Sequence, residues 1–412
     1  MSNWPNGSSR EILVLVGFAE ALAAPETVWS LVDDGFHVVA FTRKGRMSAL
    51  RHSRHVVCHE ICPPEVNLQT SLSDLRSLMD SVCAKADSFP RILFPLDDKA
   101  VWLGSKVKLK DEWLLAGPSG VSAELALNKC VQTQIAREAG FEVPKTLLAR
   151  SAAEVFNFSA DESFPIILKP AECVPVRQGR LQECRKFVCA SGEELERAVA
   201  EWGERVPLLV QPFIAGTGEG VFGLAAPDGI RAWSAHLRLR MMNPHGSGSS
   251  ACISQPVPED LRSKVEALVG KANWRGLFMI ELLRDYAGNL WFVEFNGRPW
   301  GSMALSRAQG LEYPAWHARL AIDHQSRVGV DLSSDPGVVC RHAGREFMHL
   351  LFVLRGPKSK ALSRWPPFWK TMAQVVGVRH GDVFYNWRRE DPKVFIADFC
   401  YTIKDNVFKA RN

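Results

Sequence analysis

The sequence predicts an α/β protein whose N-terminal part is doubly wound. Three short segments carry that reading. Glu11–Gly17 and Phe36–Phe41 are apolar runs of strand length, and Arg91–Pro95 is a third. Helical stretches, about Ala24–Asp34 and Leu72–Ala86, separate them. Strand, helix, strand repeated in this way specifies a mostly parallel sheet covered on both faces. With 412 residues, the chain exceeds one ordinary core and is expected to divide into two or three domains.

Composition narrows the class. Hydrophobic residues make up 46% and charged residues 23%, as in folded globular chains. A net charge of +5 is mild for this length and gives no case for a nucleic-acid partner. The ten cysteines show no small-domain disulfide spacing and read as reduced and structural. Cys58, His59 and Cys62 lack the second ligand pair that a zinc site needs. Met1–Arg10 is polar and carries no leader-like apolar core. No run of ~18 apolar residues predicts a membrane span, so the expected location is the cytoplasm. The loop after the first strand holds a single glycine, Gly17, which argues against a G-x-G-x-x-G dinucleotide site, and no P-loop pattern occurs.

The second half of the reading begins near Ser119. Ala123–Ala139 is helical and ends at Gly140. Phe164–Leu168 is an apolar strand followed by Lys169 and Pro170. Ser191 and Glu194 resemble a capping box for a helix running to about Trp202. Pro207–Ile214 is another strand, and Gly216, Gly218 and Gly220 read as a tight loop after it. Ala232–Met242 alternates as a strand does. Ser247–Ser250 reads as a polar, mobile loop, and Pro258–Ala272 as a helix. Phe278–Leu283 and Leu290–Phe295 are expected to pair through a turn at Asp285–Asn289. Leu311–Ala321 is helical, and beyond about Arg327 the chain reads as a loop-rich, aromatic tail.

The expected hairpin carries the chemistry. Glu294 and Asn296 lie two apart on one strand and therefore share a face, and Glu281 on its partner can join them. Two carboxylates and an amide oxygen form a hard donor set suited to Mg²⁺. Solvated surface acids are the alternative, but both acids sit within apolar runs, where an unpaired carboxylate is costly. Lys129 and Lys169 are point charges of the kind a triphosphate needs.

Taken in order, these features resemble the ATP-grasp superfamily from roughly Ser119 to Ala321. The matching stretches are Asn128–Lys129, Phe164–Pro170, Leu209–Gly216, Gly218–Gly220, Glu281 and Val293–Pro299. The resemblance implies an α/β (α+β ATP-grasp) fold. A preATP-grasp domain would span 1–118, and the ATP-grasp domain 119–326, with a lid-like lobe at about 140–213. A C-terminal extension, 327–412, would pack on the ligase core. It also implies roles. Lys129 and Lys169 would bind ATP phosphates. Gln211, Pro212, Phe213 and Ile214 would hold adenine, largely through backbone groups at Gln211 and Phe213. Glu219 would contact ribose, and Glu281, Glu294 and Asn296 would hold one or two Mg²⁺, with Mn²⁺ as the alternative ion. Arg298, Arg240 and Lys169 would act on the transferred phosphoryl group, with Arg238 beside Arg240.

Within the superfamily the chain is similar to D-aspartate ligase-like carboxylate–amine ligases, a likeness supported by Tyr385–Lys393 and the apolar helix to Tyr401. The implied reaction joins a small carboxylic acid to an amine, both amino-acid-like, through an acyl phosphate. The rivals are a phosphotransferase, a bicarbonate-activating carboxylase and a nucleotide-binding protein without turnover. Relatives of this kind are often homodimers. Ala171–Arg180 and Ser247–Ser250 are the expected lids, and His236 and His245 the candidate proton acceptors. The first of these loops departs from the glycine-rich pattern of many relatives, with Gly179 as its single glycine.

Overall fold

The computed structural model describes residues 12–83, 90–183, 185–329, 332–333, 335–357 and 364–409. The polar start Met1–Arg10 and Cys184 lie outside them. Five strands, β1 (Leu13–Gly17), β2 (His37–Arg43), β3 (Val57–Ile61), β4 (Arg91–Pro95) and β5 (Trp113–Leu115), form an all-parallel sheet in the order β3-β2-β1-β4-β5. β1 and β4 are wholly buried, as expected of strands covered on both faces. β3 has only one fully buried residue, Ile61, and β5 is three residues long, so neither gave the apolar run that marked the others.

A second, antiparallel sheet follows, in the order β10-β7-β11-β6. Its strands are β6 (Leu147–Ala149), β7 (Ile166–Pro170), β10 (Phe187–Cys189) and β11 (Leu208–Pro212). The helices Ala152–Ala160 and Gly192–Trp202 cover it, packing Val155, Leu195 and Trp202 against Ile166, Leu168 and Val210. Between β7 and β10 the chain turns through a small hairpin, β8 (Val176–Arg177) and β9 (Arg180–Leu181). Its two turn residues, Gln178 and Gly179, both have positive φ, as a tight two-residue hairpin turn requires. The hairpin is fastened to the first domain. Leu68 N–H donates to the Gly179 carbonyl at 2.9 Å, Leu181 N–H donates to the Pro64 carbonyl at 2.9 Å, and Leu68, Val174 and Leu181 cluster.

The third sheet is the largest, running β16-β15-β12-β13-β14-β18-β19. It contains β12 (Gly216–Ala226), β13 (Gly229–Met241), β14 (Ser249–Gln255), β15 (Gly276–Asp285), β16 (Leu290–Asn296), β18 (Val339–Arg341) and β19 (Val383–Phe384), with β17 (Leu332–Ser333) beside β13. One face packs on the helices Lys129–Glu138 and Glu259–Lys271 through Val221, Phe278, Ile280 and Phe295. The other face meets the first sheet. Val14, Val16 and Phe94 share a core with Phe222, Leu277, Trp300 and Tyr313, and Phe222 stacks on Trp300 at 4.6 Å between ring centres.

Three expectations need correction here. Gly216–Gly220 is the start of β12, not a loop. Ser249 and Ser250 are buried in β14, with the Ser250 hydroxyl donating to Glu346 at 2.9 Å, so Ser247–Ser250 is no lid. The tail is not loop-rich. It contributes β18 and β19 to the large sheet and three helices, Ala343–Arg355, Phe368–Val376 and Pro392–Lys409. The first of these buries Glu346 and His349 beside Met348 and Val353, so no clean apolar stripe announces it. Among the described residues no helix is long and apolar enough to cross a membrane.

Candidate functional site

Strand alternation places the acids. Leu277 and Met279 on β15, and Phe222 and Leu224 on β12, face the shared core with the first sheet. Two residues further along each strand that same face leaves the core and carries Glu281 and Gly220, which lie opposite each other in register. Glu281 in turn lies opposite Glu294 on β16, and Met279 opposite Asn296. The two carboxylates and the amide thus occupy one face, as the sequence spacing requires.

The lysines arrive from two other directions. Asn128 interrupts the predicted 123–139 helix, because its extended backbone (φ −121°) caps a new helix whose Cys130 and Val131 amides donate to its side chain. Lys129 is the first residue of that helix. Its amide donates to the Ala171 carbonyl at 2.8 Å, which ties it to the segment after β7. The Lys129 ammonium donates to Glu294 Oε1 at 2.7 Å and to Cys173 Sγ at 2.9 Å. Burial is the largest single influence and opposes its charge, but Glu294 and Cys173 together outweigh it and raise the Lys129 pKa. The same interactions act on Glu294 in reverse. Burial alone would raise its carboxyl, while Lys129, Lys186 and Lys169 hold it well below the usual carboxylate range.

Lys169 lies on β7 with only 8% exposure, and among the described residues it has no hydrogen-bond or ion-pair partner. Burial lowers its pKa from 10.5 to about 8; Glu294 pulls the other way, and Lys129 and Lys186 add repulsion. Arg298 is held by Asp98 of the first domain, Nε to Oδ1 at 2.6 Å, and by Asn296 Oδ1 at 3.1 Å. Glu281 is paired with Arg238 at 2.8 Å.

That last pair explains two glycines. Arg238 comes from β13 and must cross β12 to reach β15. A Cβ at Gly218 would stand 2.7 Å from Arg238 Cδ, and one at Gly220 would stand 3.1 Å from His236 Nε2. The Gly-x-Gly pattern therefore clears the strand face for these side chains. Gly218→Ala is expected to destabilise the protein by about 1–3 kcal/mol through overpacking. Because the clash is with Arg238 itself, adding Gly218→Ala to an Arg238→Ala background should have almost no effect. Denaturant unfolding of the single and double variants measures that non-additivity.

Most of these groups border one cavity of about 430 Å³, but Lys169 and Arg238 are not among its lining residues. Lys129, Glu281, Glu294, Asn296 and Arg298 line it, together with Asp98, Glu172, Lys186 and Arg345, which sequence reasoning missed. Asp98 had a readable signal, since it follows the carboxyl end of β4, where ligands bind in open parallel sheets. Lys186 immediately precedes β10, whose Phe187 pairs with Leu168, and only that pairing brings it near Lys169.

Other expected residues lie elsewhere. Glu219 is one residue out of phase with Gly220 and so points to the opposite face of the sheet, where Arg284 grips it at 2.6 and 3.1 Å. It does not meet the ribose-contacting role. Arg240 makes a bidentate pair with Glu346, at 2.8 and 2.7 Å, and borders a separate cavity of about 310 Å³. There it fastens the helix Ala343–Arg355 to β13 rather than facing Arg298. Phe213 and Ile214 line that same cavity. The Phe213 amide already donates to the Pro165 carbonyl at 2.9 Å, whereas the Ile214 amide has no hydrogen bond among the described residues. The Gln211 side chain donates to Thr146 Oγ1 at 2.7 Å, and Pro212 ends β11. His236 is buried and kept neutral by that burial, at a pKa of about 3, with Ser302 at 2.9 Å from Nδ1. His245 lines the same cavity as Phe213 and Ile214, its ring 5.0 Å from that of Trp365.

No family model matches the sequence, and no curated protein matches it. Solved structures do. The biotin carboxylase domain of Hydrogenobacter thermophilus 2-oxoglutarate carboxylase, in complex with MgADP, ADP and bicarbonate, is 16% identical. It superposes with a TM-score of 0.60, over 79% of this chain and 72% of that one. The L-amino acid ligase of Bacillus licheniformis is also 16% identical, with a TM-score of 0.54 over 77% and 75%. The N5-carboxyaminoimidazole synthetase of Staphylococcus aureus, complexed with ADP, is 13% identical, with a TM-score of 0.57 over 79% and 80%. These superpositions show that the chain has the ATP-grasp fold.

Proposed function

We propose that the chain is an ATP-dependent carboxylate–amine ligase that forms an amide through an acyl phosphate and releases ADP and phosphate. One observation carries the nucleotide half of this reading. Four cationic side chains, Lys129, Lys186, Arg298 and Arg345, line the cavity alongside four acids, Asp98, Glu172, Glu281 and Glu294. A bare polyanion would meet four carboxylates there, and a bare metal ion would meet four cations. A metal-bound polyphosphate answers both sets. The donor chemistry fits Mg²⁺, with two carboxylates and an amide oxygen on one strand face and no thiolate or imidazole among them. Bound at Glu281, Glu294 and Asn296, Mg²⁺ would supply positive charge to the phosphate oxygens.

Lys129, Lys169 and Lys186 are then the phosphate ligands, and Arg298 neutralises the phosphoryl group in transfer. The backbone at Pro212–Ile214 receives adenine, with the Ile214 amide as donor in place of that of Phe213. The carboxylate oxygen of the acid attacks the terminal phosphorus and ADP leaves. The amine then displaces phosphate from the acyl carbon. The hairpin β8–β9, braced on the first domain, shields the cavity from water. Two neighbours in structure, a biotin carboxylase domain bound to bicarbonate and an L-amino acid ligase, bracket the reaction class.

The test is ATP-dependent phosphate release across a panel of small acids and amines. Release requiring both an acid and an amine is expected. ADP formation with acid alone, leaving a stable phosphorylated product, would sink the ligase reading in favour of a phosphotransferase.

A further inference from the structure

A surface helix normally turns its apolar stripe to the core. The helix Phe368–Val376 does the reverse. Trp369, Met372, Ala373 and Val376 recur at the three- and four-residue spacing that marks one face. Trp369 is 73% exposed and Val376 72%, and Val378, just beyond the helix, is 58% exposed. The buried side holds a polar residue instead, Thr371, whose hydroxyl donates to the Pro367 carbonyl at 2.9 Å. A single exposed apolar side chain is ordinary, but an aligned stripe marks a contact surface.

Buried bonds fix the helix in that orientation. The Arg341 guanidinium donates to the carbonyls of Gln374, Val375 and Gly377 around its last turn. Arg341 is itself held by Glu346 at 3.0 Å and Asp382 at 3.2 Å. Ahead of the helix, the Trp365 indole donates to the Val353 carbonyl at 3.2 Å. The outward stripe is therefore a built feature of the extension.

Positive charge accompanies it. Asp and Glu number 45 in the 412-residue chain, yet none occurs between Glu346 and Asp382, a stretch with six Lys and Arg. The two acids that bound this stretch are spent on Arg341, and their side chains are only 4% and 6% exposed. Trp369–Lys370 and Val378–Arg379 each set an exposed apolar side chain beside an exposed cation. Neither Lys370 nor Arg379 has an ion pair among the described residues.

Three kinds of partner could cover such a face, and charge separates them. A second copy docked about a two-fold axis would set the patch against itself. Lys370 and Arg379 of both copies would then meet with no acid in the stretch to offset them. A nucleic acid would answer the cations, but Met372, Val376 and Val378 offer its bases no stacking surface. An anionic bilayer answers both features. Its acyl boundary takes the aliphatic side chains, the Trp369 ring sits at the headgroup level, and the phosphates meet the cations.

We infer that the outward face of the helix Phe368–Val376, with Val378 and Arg379 after it, docks the protein on the surface of an anionic phospholipid bilayer. The helix lies along the interface and does not span it. This surface stands apart from the ligase reading and does not depend on it.

The test is co-sedimentation of the full-length protein with vesicles of equal parts phosphatidylcholine and phosphatidylglycerol, and with vesicles of phosphatidylcholine alone. Binding to the mixed vesicles should be about tenfold or more tighter than to the neutral ones, and should weaken as salt is raised. The double variant Trp369→Ser with Val376→Ser should lose about tenfold or more in affinity for the mixed vesicles. Its thermal midpoint should stay that of the parent, because both side chains are exposed. Lys370→Glu with Arg379→Glu should lose a similar factor on the mixed vesicles and little on the neutral ones. Absence of binding to the mixed vesicles, or equal binding by the folded Trp369→Ser, Val376→Ser variant, would overturn the inference. A dimer in light scattering that this variant dissociates, without vesicle binding by the parent, would overturn it in favour of a second copy.

Discussion

Glu294→Gln is expected to lower turnover by about 10³-fold, the scale seen when one preorganised electrostatic group is removed from an active site. Glu294 serves two neighbours at once: it is the partner of Lys129 at 2.7 Å, and it forms with Glu281 the paired carboxylates of the proposed metal site. Glutamine keeps the volume and one acceptor oxygen but removes the charge, so Lys129 loses its counter-ion and the proposed metal site loses one of its two carboxylates. ADP formation at saturating MgATP, measured over a range of Mg²⁺ concentrations, reads the effect. Unchanged ADP formation would refute the metal site. Glu294→Ala is the harsher variant, because it leaves the buried Lys129 ammonium without its carboxylate, a loss worth about 3–5 kcal/mol of stability. Its thermal midpoint should fall well below that of Glu294→Gln, which separates the folding role from the catalytic one.

Lys169→Met is expected to slow phosphoryl transfer by about 10²-fold or more and yet stabilise the nucleotide-free protein. Lys169 is buried without an ion pair, and its pKa is pushed from 10.5 to about 8. Each pKa unit corresponds to about 1.4 kcal/mol, so keeping this ammonium charged costs the fold roughly 3 kcal/mol at neutral pH. Methionine fills similar space without that charge. The sign of the pH dependence follows. Between pH 8 and 10.5 the unfolded chain holds the Lys169 proton while the folded chain has released it. The unfolded state thus binds more protons in that window, and stability rises with pH. Wild-type protein should gain stability across this interval relative to Lys169→Met, as read by urea unfolding at several pH values. Turnover of the variant should fall by about 10²-fold or more. A variant less stable than the parent at pH 7 would show that Lys169 has a structural partner, not a waiting phosphate.

The corrections share a physical origin. A Gly-rich stretch signals either a turn or a strand crossed closely by other side chains, and sequence alone does not separate the two. At Gly218 and Gly220 the crossing side chains are Arg238 and His236, from a neighbouring strand. Glu219 fits the family pattern by position along the chain, but the phase of β12 turns it to the face opposite Glu281. Arg240 looks equivalent to Arg238 by spacing. An irregular pairing of β13 with β14 lies between them, and the former goes to Glu346 and the latter to Glu281.

What the sequence determined by itself was local and periodic. It set the strand–helix alternation of the first domain, the hairpin that puts Glu281, Glu294 and Asn296 on one face, and the lysines that end or begin their elements. These follow from two-residue and 3.6-residue repeats that need no knowledge of neighbours. Tertiary structure decided the rest. It brought Asp98 onto Arg298 across 200 residues, set Lys186 near Lys169, and placed Arg345 of the helix Ala343–Arg355 where three cavities meet. Such encounters depend on how faces pack and which charges find partners at long range, and no spacing within a single segment records them.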